Sequence, residues 1–524
     1  MAYIERNTQS VEKDGYDIII IGGGIHGVMM ALEAGFRNLR CLLLEKADFG
    51  GATSYNSLRI IHGGFRYLQS LDIARVRESA KERRWYQTNF PKLVEPMPCL
   101  FPLYGNGLQR PLFFGPALSM YNLITRDRNE GISKERHLPP ARLVDRQRAL
   151  ELFPGLNPKG LKMGGVWYDA FMADSQRVLI SCLLWASSLG VQALNYVRAA
   201  DLSIDKDQVT GIRAVDEETG REHEFRSAVV INCAGPWCRE LAAKFDKDDP
   251  SLFQSMLAWN VLFDQRQLSD HATAITTGDP GTHSYFSVPW KGKLFVGTGQ
   301  APWPFAEREP KVTEQQLLAF CRDLNKAVPG MNFKIADIVN VYAGLQCATR
   351  PGGTEFTKRS VFIDHGKTGG PKGLFSLSGI KFTTARRLAE KALGPIFASR
   401  RKPAPSPLKP PSDAMQTRGV YPYGWFPDKQ DSSWIKELQR IIKEESVVHL
   451  DDLIFRRTSI GDNPQRALML STQISQAFGW DAERRAQECA RIKSRCQSTY
   501  HNAATEAIPS PPIHDPETQS ARPV

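Results

Sequence analysis

The stretch from Tyr16 to Lys46 constrains this chain more than any other. An apolar run, Asp17-Ile18-Ile19-Ile20-Ile21, leads into Gly22, Gly24 and Gly27 at the spacing G-x-G-x-x-G. A helical pattern follows from Val28 to Phe36, and a second apolar run, Cys41-Leu42-Leu43-Leu44, ends at Glu45. Strand, tight turn, helix and strand, with an acid about 20 residues beyond the glycines, form a dinucleotide-binding arrangement. Gly22 permits the turn, Gly24 lets the backbone approach a pyrophosphate, and Gly27 lets helix and strand pack closely. The helix N-terminus presents free N–H groups and the positive end of its dipole to phosphate. Glu45 is placed to accept hydrogen bonds from ribose hydroxyls. The alternative is a glycine-rich turn without a ligand, which the complete strand-turn-helix-strand context argues against.

The remaining length, within 524 residues, leaves room for two or three domains and a large core. No apolar run approaches the roughly 18 residues of a membrane-spanning helix, and residues 1–15 lack the apolar segment of a secretory signal. Nine scattered cysteines without a C-x-x-C pair suit a reduced, cytoplasmic chain with neither disulfides nor a metal centre. The net charge of +11 favours an anionic substrate or an acidic membrane surface. No nucleic-acid motif accompanies it, so a nucleic-acid partner is not expected.

Read in order, residues 1–15 form a loose leader. The segment 16–103 is expected to be the first part of a dinucleotide domain, and Phe49 to Ser57, rich in Gly, Thr and Ser, a loop over the ligand. In Arg59-Ile60-Ile61-His62-Gly63-Gly64-Phe65-Arg66-Tyr67-Leu68 the paired glycines would let the backbone lie close to something flat, with Arg66 and Tyr67 beside it. Ile73 to Asn89 reads as a charged helix with a solvated face. Residues 104–163 form a cap. Within it Arg110 to Arg128 is amphipathic with basic ends, either lying on an anionic membrane surface or packed as a core helix under a lid. Residues 164–240 return to the dinucleotide domain, with a helix from Asp174 through Leu189 and a strand into the turn at Gly235. Residues 241–340 alternate strand-like runs with a helix from Glu314 to Ala327, as an inserted antiparallel substrate domain. Residues 341–400 complete the first domain with a strand from Leu374 to Leu377, a turn at Ser378-Gly379 and a helix from Thr383 to Leu393. Lys381 in that turn points to an anion or to a carbonyl of the bound ligand. Five prolines between Arg401 and Ser412 mark a linker over 401–415. Residues 416–503 form a helical C-terminal domain, and 504–524 a disordered tail.

Several of these pieces together resemble the FAD-dependent glycerol-3-phosphate dehydrogenases and, more broadly, flavin oxidoreductases of the D-amino-acid-oxidase type. They are DIIIIGGGIHG (Asp17 to Gly27), LLLEKADFGGATSYNS (Leu42 to Ser57), IIHGGFRYL (Ile60 to Leu68), NCAGPW (Asn232 to Trp237), VPW with GTG (Val288 to Gly299), and SGIKFTTARRLAEKAL (Ser378 to Leu393). DDLIFRRT (Asp451 to Thr458) and FGWD (Phe478 to Asp481) are similar to that family's accessory domain. The resemblance covers about residues 16–495. It implies a Rossmann-like α/β FAD domain with noncovalent FAD near Gly22, Gly24, Gly27, Glu45, Thr53, Ser54, Gly235, Gly379, Thr383 and Thr384. It also implies catalytic candidates His62, Arg66, Tyr67 and Lys381. If the segment Arg110 to Arg128 lies peripherally on the inner face of a membrane, the expected electron acceptor is a quinone.

Three positions depart from the family's pattern, all on the substrate side. The strand that usually carries K-G-S-H reads Leu257-Ala258-Trp259-Asn260, so a proposed histidine base becomes Asn260. The arginine of G-V-R-P becomes Gln346, and the aspartate of G-T-T-D becomes Gln300. Asn and Gln cannot act as bases near neutral pH. The expected substrate contacts are therefore Arg66, Asn260, Gln346, Arg350 and Lys381. Arg66 would clamp an anion or pair with a carboxylate; Lys381 would bind substrate or stabilise reduced flavin. His62 would bond flavin or backbone or act in catalysis, Tyr67 would wall the pocket, and His26 would sit on the surface at a helix start. The expected reaction is oxidation of a CH–OH group on a small, hydroxylated anion. The alternatives are an amine or amino-acid oxidase and a flavin-binding protein without catalysis.

Overall fold

The computed structural model describes residues 3–8, 15–105, 110–276, 284–303, 310–398, 410–427 and 432–497. The linker expectation over 401–415 lies largely outside them, and that of a tail over 504–524 entirely outside.

The two apolar runs at the start of the chain are adjacent central strands, because a parallel strand covered on both faces needs apolar side chains throughout. Ile18–Ile21 and Cys41–Leu44 pair in parallel in a six-stranded sheet. Across it the order is Val361–Asp364, Leu374–Ser378, Val230–Asn232, Ile18–Ile21, Cys41–Leu44, Gln192–Leu194, with only the first strand antiparallel to its neighbour. Side chains alternate between the faces with period two. Ile18, Ile20, Cys41 and Leu43 meet helix Ile25–Phe36, which packs between Ser175–Ser188 and Ala385–Ile396. Ile19, Ile21, Leu42 and Leu44 face Val197, Ile212 and Phe225, which belong to a second sheet containing the antiparallel strands Val197–Asp205, Gln208–Asp216 and Glu222–Ser227.

The rest of the β-structure is one nine-stranded, mainly antiparallel sheet. Its long strands are Ser255–Phe263, flanked by Lys293–Pro302 and Ile338–Cys347, and Val94–Leu103, paired along its length with Met163–Met172. The last two strands lie on either side of the expected cap segment, and both build this sheet, whereas the sequence places 16–103 and 164–240 in the dinucleotide domain. Alternation alone cannot say which sheet a strand joins. Helix Glu314–Ala327, with Thr313 closing a capping box, lays Leu317, Phe320 and Leu324 on this sheet.

Helices Ser433–Glu444, Pro464–Ser475 and Ala482–Gln497, with a π-helical turn at Asp452–Arg457, make the C-terminal unit. Residues 3–8 are not loose. Ile4 is buried beside Glu445, its N–H bonded to the Glu444 carbonyl at 2.8 Å, and Arg6 pairs with Asp216 at 2.7 Å. Among the described residues no helix is long and apolar enough to cross a membrane.

Candidate active site

The glycines of the first turn do three different jobs. Gly22 has φ +104°, which disfavours any side chain. A Cβ on Gly27 would lie 1.8 Å from the Gly22 carbonyl oxygen, so Gly27 is required for helix and turn to touch. Gly24 has φ −73° and opens the helix; a Cβ there would meet only Ser54 Oγ, at 3.4 Å. No protein atom demands that Gly24 be bare, and the space over it is the approach a pyrophosphate needs.

Glu45 turns its carboxylate to this turn. It accepts from the Gly23 N–H at 2.6 Å and the Ala47 N–H at 2.9 Å. Burial pushes its carboxyl above the usual range, and the two backbone donors oppose that shift. Glu45 thus braces the turn, a role the expectation of ribose contact did not include. Ser54 Oγ accepts from the Ile25 N–H at 3.0 Å, which leaves the hydroxyl proton to donate elsewhere. Thr53 donates to the Leu345 carbonyl at 2.8 Å and ties this loop to the nine-stranded sheet.

His26 is not a surface residue. Its ring lies against Gly379, where a Cβ would come within 2.1 Å of Nε2, and Nε2 is buried with no hydrogen-bond partner. Burial lowers its pKa to about 4, so the imidazole is neutral at physiological pH. The turn carrying Gly379 therefore stacks directly on the glycine fingerprint. Thr383 accepts from the His62 backbone N–H at 3.2 Å, which joins that turn to the His62-Gly63-Gly64 segment. Thr384 opens helix Ala385–Ile396 without a side-chain cap, and Gly235 has φ +57° with open space around it.

The paired glycines are bare for a reason other than a flat ligand. A Cβ on Gly63 would strike Arg83 Nη1 at 2.1 Å and the Tyr121 hydroxyl at 2.3 Å. Arg83, fully buried on helix Ile73–Asn89, is bonded to the Tyr121 hydroxyl at 3.0 Å and to the Tyr168 carbonyl. Glu82 on the same helix pairs with Arg386. This helix is therefore a buried brace along one side, not merely a solvated face. Asp169 accepts from the Gly63 N–H at 2.7 Å and lies 3.4 Å from His62 Nδ1. Burial opposes its charge, but His62, Arg83 and the Gly63 N–H together hold its carboxyl below the usual range.

The 3-10 turn Phe65–Ser70 presents Tyr67 to Lys381, whose ammonium contacts the Tyr67 hydroxyl and lies 4.3 Å from the ring centroid. Burial, with the Arg66 guanidinium nearby, pushes Lys381 down to about 8. Arg66 is exposed. Lys381 thus meets Tyr67 just beyond the end of strand Leu374–Ser378, with the Arg66 charge near enough to be felt, and Thr383, two residues on, is bonded to the His62 backbone. Asn260 is buried and engaged at both ends of its amide, donating to the Asn56 carbonyl at 2.9 Å and accepting from the Thr298 hydroxyl at 3.1 Å. Gln346, half-buried, follows the Leu345 contact to Thr53, whereas Arg350 lies exposed beyond the end of that strand. Among the described residues no cluster of His, Cys, Asp and Glu could hold a metal.

A parallel sheet with this fingerprint, followed along the chain by a large antiparallel sheet, defines the class of dinucleotide-dependent oxidoreductases. Residues 17–390 match the sequence family of FAD dependent oxidoreductases (DAO), and the chain belongs to that family. It is 27% identical over 421 residues to a glycerol-3-phosphate dehydrogenase of Synechocystis sp., covering 76% of this chain and 73% of the relative. It is 29% identical over 390 residues to an aerobic glycerol-3-phosphate dehydrogenase of Staphylococcus haemolyticus, covering 74% and 67%. The fold superposes on the glycerol-3-phosphate dehydrogenase from Bacillus halodurans complexed with FAD, with a TM-score of 0.72 at 18% identity over 96% of this chain and 98% of that one. An L-α-glycerophosphate oxidase from Mycoplasma pneumoniae with FAD bound shares the fold at a TM-score of 0.54 and 18% identity, covering 73% and 94%. The chain is thus an FAD-dependent oxidoreductase. The bare approach at Gly24 and the orphaned, neutral His26 Nε2 fit that cofactor: one leaves room for the pyrophosphate and the other a buried group still to be satisfied.

The glycines, Glu45, Ser54, Tyr67 and Lys381 each lie in a contiguous motif, which is what lets sequence reasoning single them out. It missed His26, Arg83 and Asp169 as site-building residues. Asp169 lies in a strand whose sequence carries no motif, and only the fold brings it to Gly63.

Proposed function

We propose that this enzyme oxidises a CH–OH group of a small, hydroxylated, anionic substrate. The observation that carries the reading is the convergence of Arg66, Tyr67 and Lys381 beside the Gly379 turn. Bound FAD supplies the hydride acceptor. Arg66 and Lys381 bind the anionic end, the arginine through its planar fork of donors. Lys381, an ammonium below about 8, acts as a cation there, and Tyr67 holds that ammonium in place. His62, oriented by Asp169, lines the same side. Asn260 is committed to Asn56 and Thr298 and plays a structural part.

Glycerol 3-phosphate belongs to this substrate class and is the molecule named for the relatives. With no histidine at Asn260 and no arginine at Gln346, it should be turned over slowly, and a different hydroxylated anion faster. Anaerobic bleaching of the bound flavin against polyols, sugar phosphates, hydroxy acids and amino acids tests this. Bleaching by amino acids alone would replace the reading with amine oxidation, and bleaching by none of them with a non-catalytic flavoprotein.

The electron acceptor we propose is a membrane quinone. Helix Pro111–Ile124 buries Phe114, Leu118 and Tyr121 against the fold but exposes Leu112, Phe113, Met120 and Leu123. Leu71 and Ile73, beside the Tyr67 turn, are exposed too, and Arg110 and Arg126 flank the helix. An apolar face with basic ends suits peripheral docking on an anionic leaflet.

A further inference from the structure

Asp48 is a buried carboxylate in the loop that follows the second central strand, three residues beyond Glu45. Arg457 grips it with two bonds, Nη1 to Oδ2 and Nη2 to Oδ1, both 2.7 Å, and Arg456 Nε adds a third at 2.5 Å. Asn195 Nδ2 donates to Oδ1 at 3.0 Å. Both arginines end the π-helical turn Asp452–Arg457 of the C-terminal unit, more than four hundred residues away in sequence. Arg456 also pairs with Asp451 at 2.9 Å and with Asp452. Asp48 and both arginines are at most 4% exposed. Charges so deeply buried persist only when paired and fully bonded, and breaking such a pair is severely destabilising.

The other side of the same loop is bonded to the glycine turn at three points. Glu45 accepts from the Gly23 N–H, the Gly50 N–H donates to the Gly23 carbonyl at 2.9 Å, and Ser54 accepts from the Ile25 N–H. Gln176 pins it once more through the Phe49 carbonyl at 2.7 Å. The loop therefore spans from the cofactor-binding turn to the C-terminal unit, with Asp48 as its outer anchor.

We infer that Arg456 and Arg457 are positioning residues for the cofactor: acting through Asp48, the C-terminal unit holds the 45–54 loop in the shape that grips FAD. An adjacent-domain clamp of this kind makes cofactor affinity depend on a part of the chain outside the cofactor domain, and coupling of that sort is reciprocal.

The test uses the full chain. Arg457→Met and Asp48→Asn are compared with wild type for the FAD dissociation constant, read from flavin fluorescence on titrating apoprotein, and for the melting temperature of the apoprotein. The dissociation constant is expected to rise about tenfold or more, equivalent to about 1.4 kcal/mol, and Arg457→Lys, which keeps the charge, to restore part of it. An unchanged dissociation constant beside a lowered apoprotein melting temperature would overturn the inference and leave a purely structural ion pair. In wild-type protein, hydrogen exchange with and without FAD gives a second readout that needs no substitution. The amides of 452–458 should gain protection when FAD binds, and no change there would also overturn it.

Discussion

The glycine fingerprint can be split into folding and binding parts by two single-methyl substitutions. At Gly27 a Cβ would sit 1.8 Å from the Gly22 carbonyl oxygen and 3.0 Å from its carbon, both backbone atoms of a turn that has nowhere to move. Overpacking against flexible side chains typically costs about 1–3 kcal/mol; against backbone at this distance we expect the top of that range, or about 3 kcal/mol. That is a large part of the roughly 5–15 kcal/mol that keeps a domain folded. At Gly24 the backbone already has φ −73° and the nearest neighbour would be 3.4 Å away. Gly24→Ala should therefore cost the apoprotein only about 1 kcal/mol, from the weaker helix cap. The added methyl fills the cofactor's approach instead, and we expect FAD affinity to fall about 100-fold, or about 2.7 kcal/mol. Thermal unfolding of apoproteins and titration with FAD, followed by flavin fluorescence, separate the two effects. Gly24→Ala binding FAD as tightly as wild type would refute the assignment of that space, and a Gly27→Ala apoprotein as stable as wild type would refute the packing argument.

Lys381 carries the pH dependence. Burial and Arg66 lower its pKa from the ordinary 10.5 to about 8, so between those values the unfolded chain binds the proton that the folded one has lost. Its contribution opposes folding below about 8 and is relieved as pH rises towards 10.5. Anion binding should weaken as pH rises through about 8, and substrate-dependent flavin reduction by Lys381→Met should lack that limb; an identical limb in the variant would assign it elsewhere. For the membrane, wild-type protein should co-sediment with anionic vesicles and be released by high salt, since screening weakens basic contacts. Leu123→Glu with Phe113→Glu should abolish the interaction. Equal binding to neutral vesicles, or none to either, would favour a soluble acceptor.

The first domain was readable because its information is local. The spacing of Gly22, Gly24 and Gly27 and the alternating faces of Ile18–Ile21 are dictated by residues within one strand-turn-helix. The bounds read from the sequence for helices Ile73–Asn89 and Glu314–Ala327 agree with the structure. What could not be read was which distant segment meets which. The pairing of Val94–Leu103 with Met163–Met172 draws two stretches out of the domain to which adjacency assigned them. The buried side of Ile73–Asn89 was masked by its own charges, because Arg83 Nη1 reaches Tyr168 and Asp169 and Glu82 pairs with Arg386, none of which sequence proximity reveals. His26 was misread for the related reason that Gly379, the residue its ring covers, lies on another strand's exit.

The same non-local packing bears on whether the relatives' pattern can be put back. A histidine at Asn260 would have to give up the bonds to the Asn56 carbonyl and the Thr298 hydroxyl, and to fit a larger ring beside Gly297, where a Cβ would already lie 1.9 Å from Asn260 Oδ1. Lost hydrogen bonds at about 1 kcal/mol each and overpacking of about 1–3 kcal/mol predict that Asn260→His destabilises the protein, most of it from strands pushed apart. Gln346 has no such commitment: it is half-buried at the strand's end next to the Thr53 contact. Gln346→Arg should therefore be tolerated and, by restoring a charged donor worth about 1.5–3 kcal/mol to an anion, raise glycerol 3-phosphate kcat/KM by roughly 10- to 150-fold. Asn260→His alone should lower the melting temperature without gaining that activity. The two together should gain the proton acceptor only if the strand pair Ser255–Phe263 and Lys293–Pro302 yields around it. Stopped-flow flavin reduction and thermal unfolding of the three variants decide the matter. A stable Asn260→His variant that oxidises glycerol 3-phosphate rapidly would show that the site retains room for a histidine base and that Asn260 is not a fixed part of the sheet.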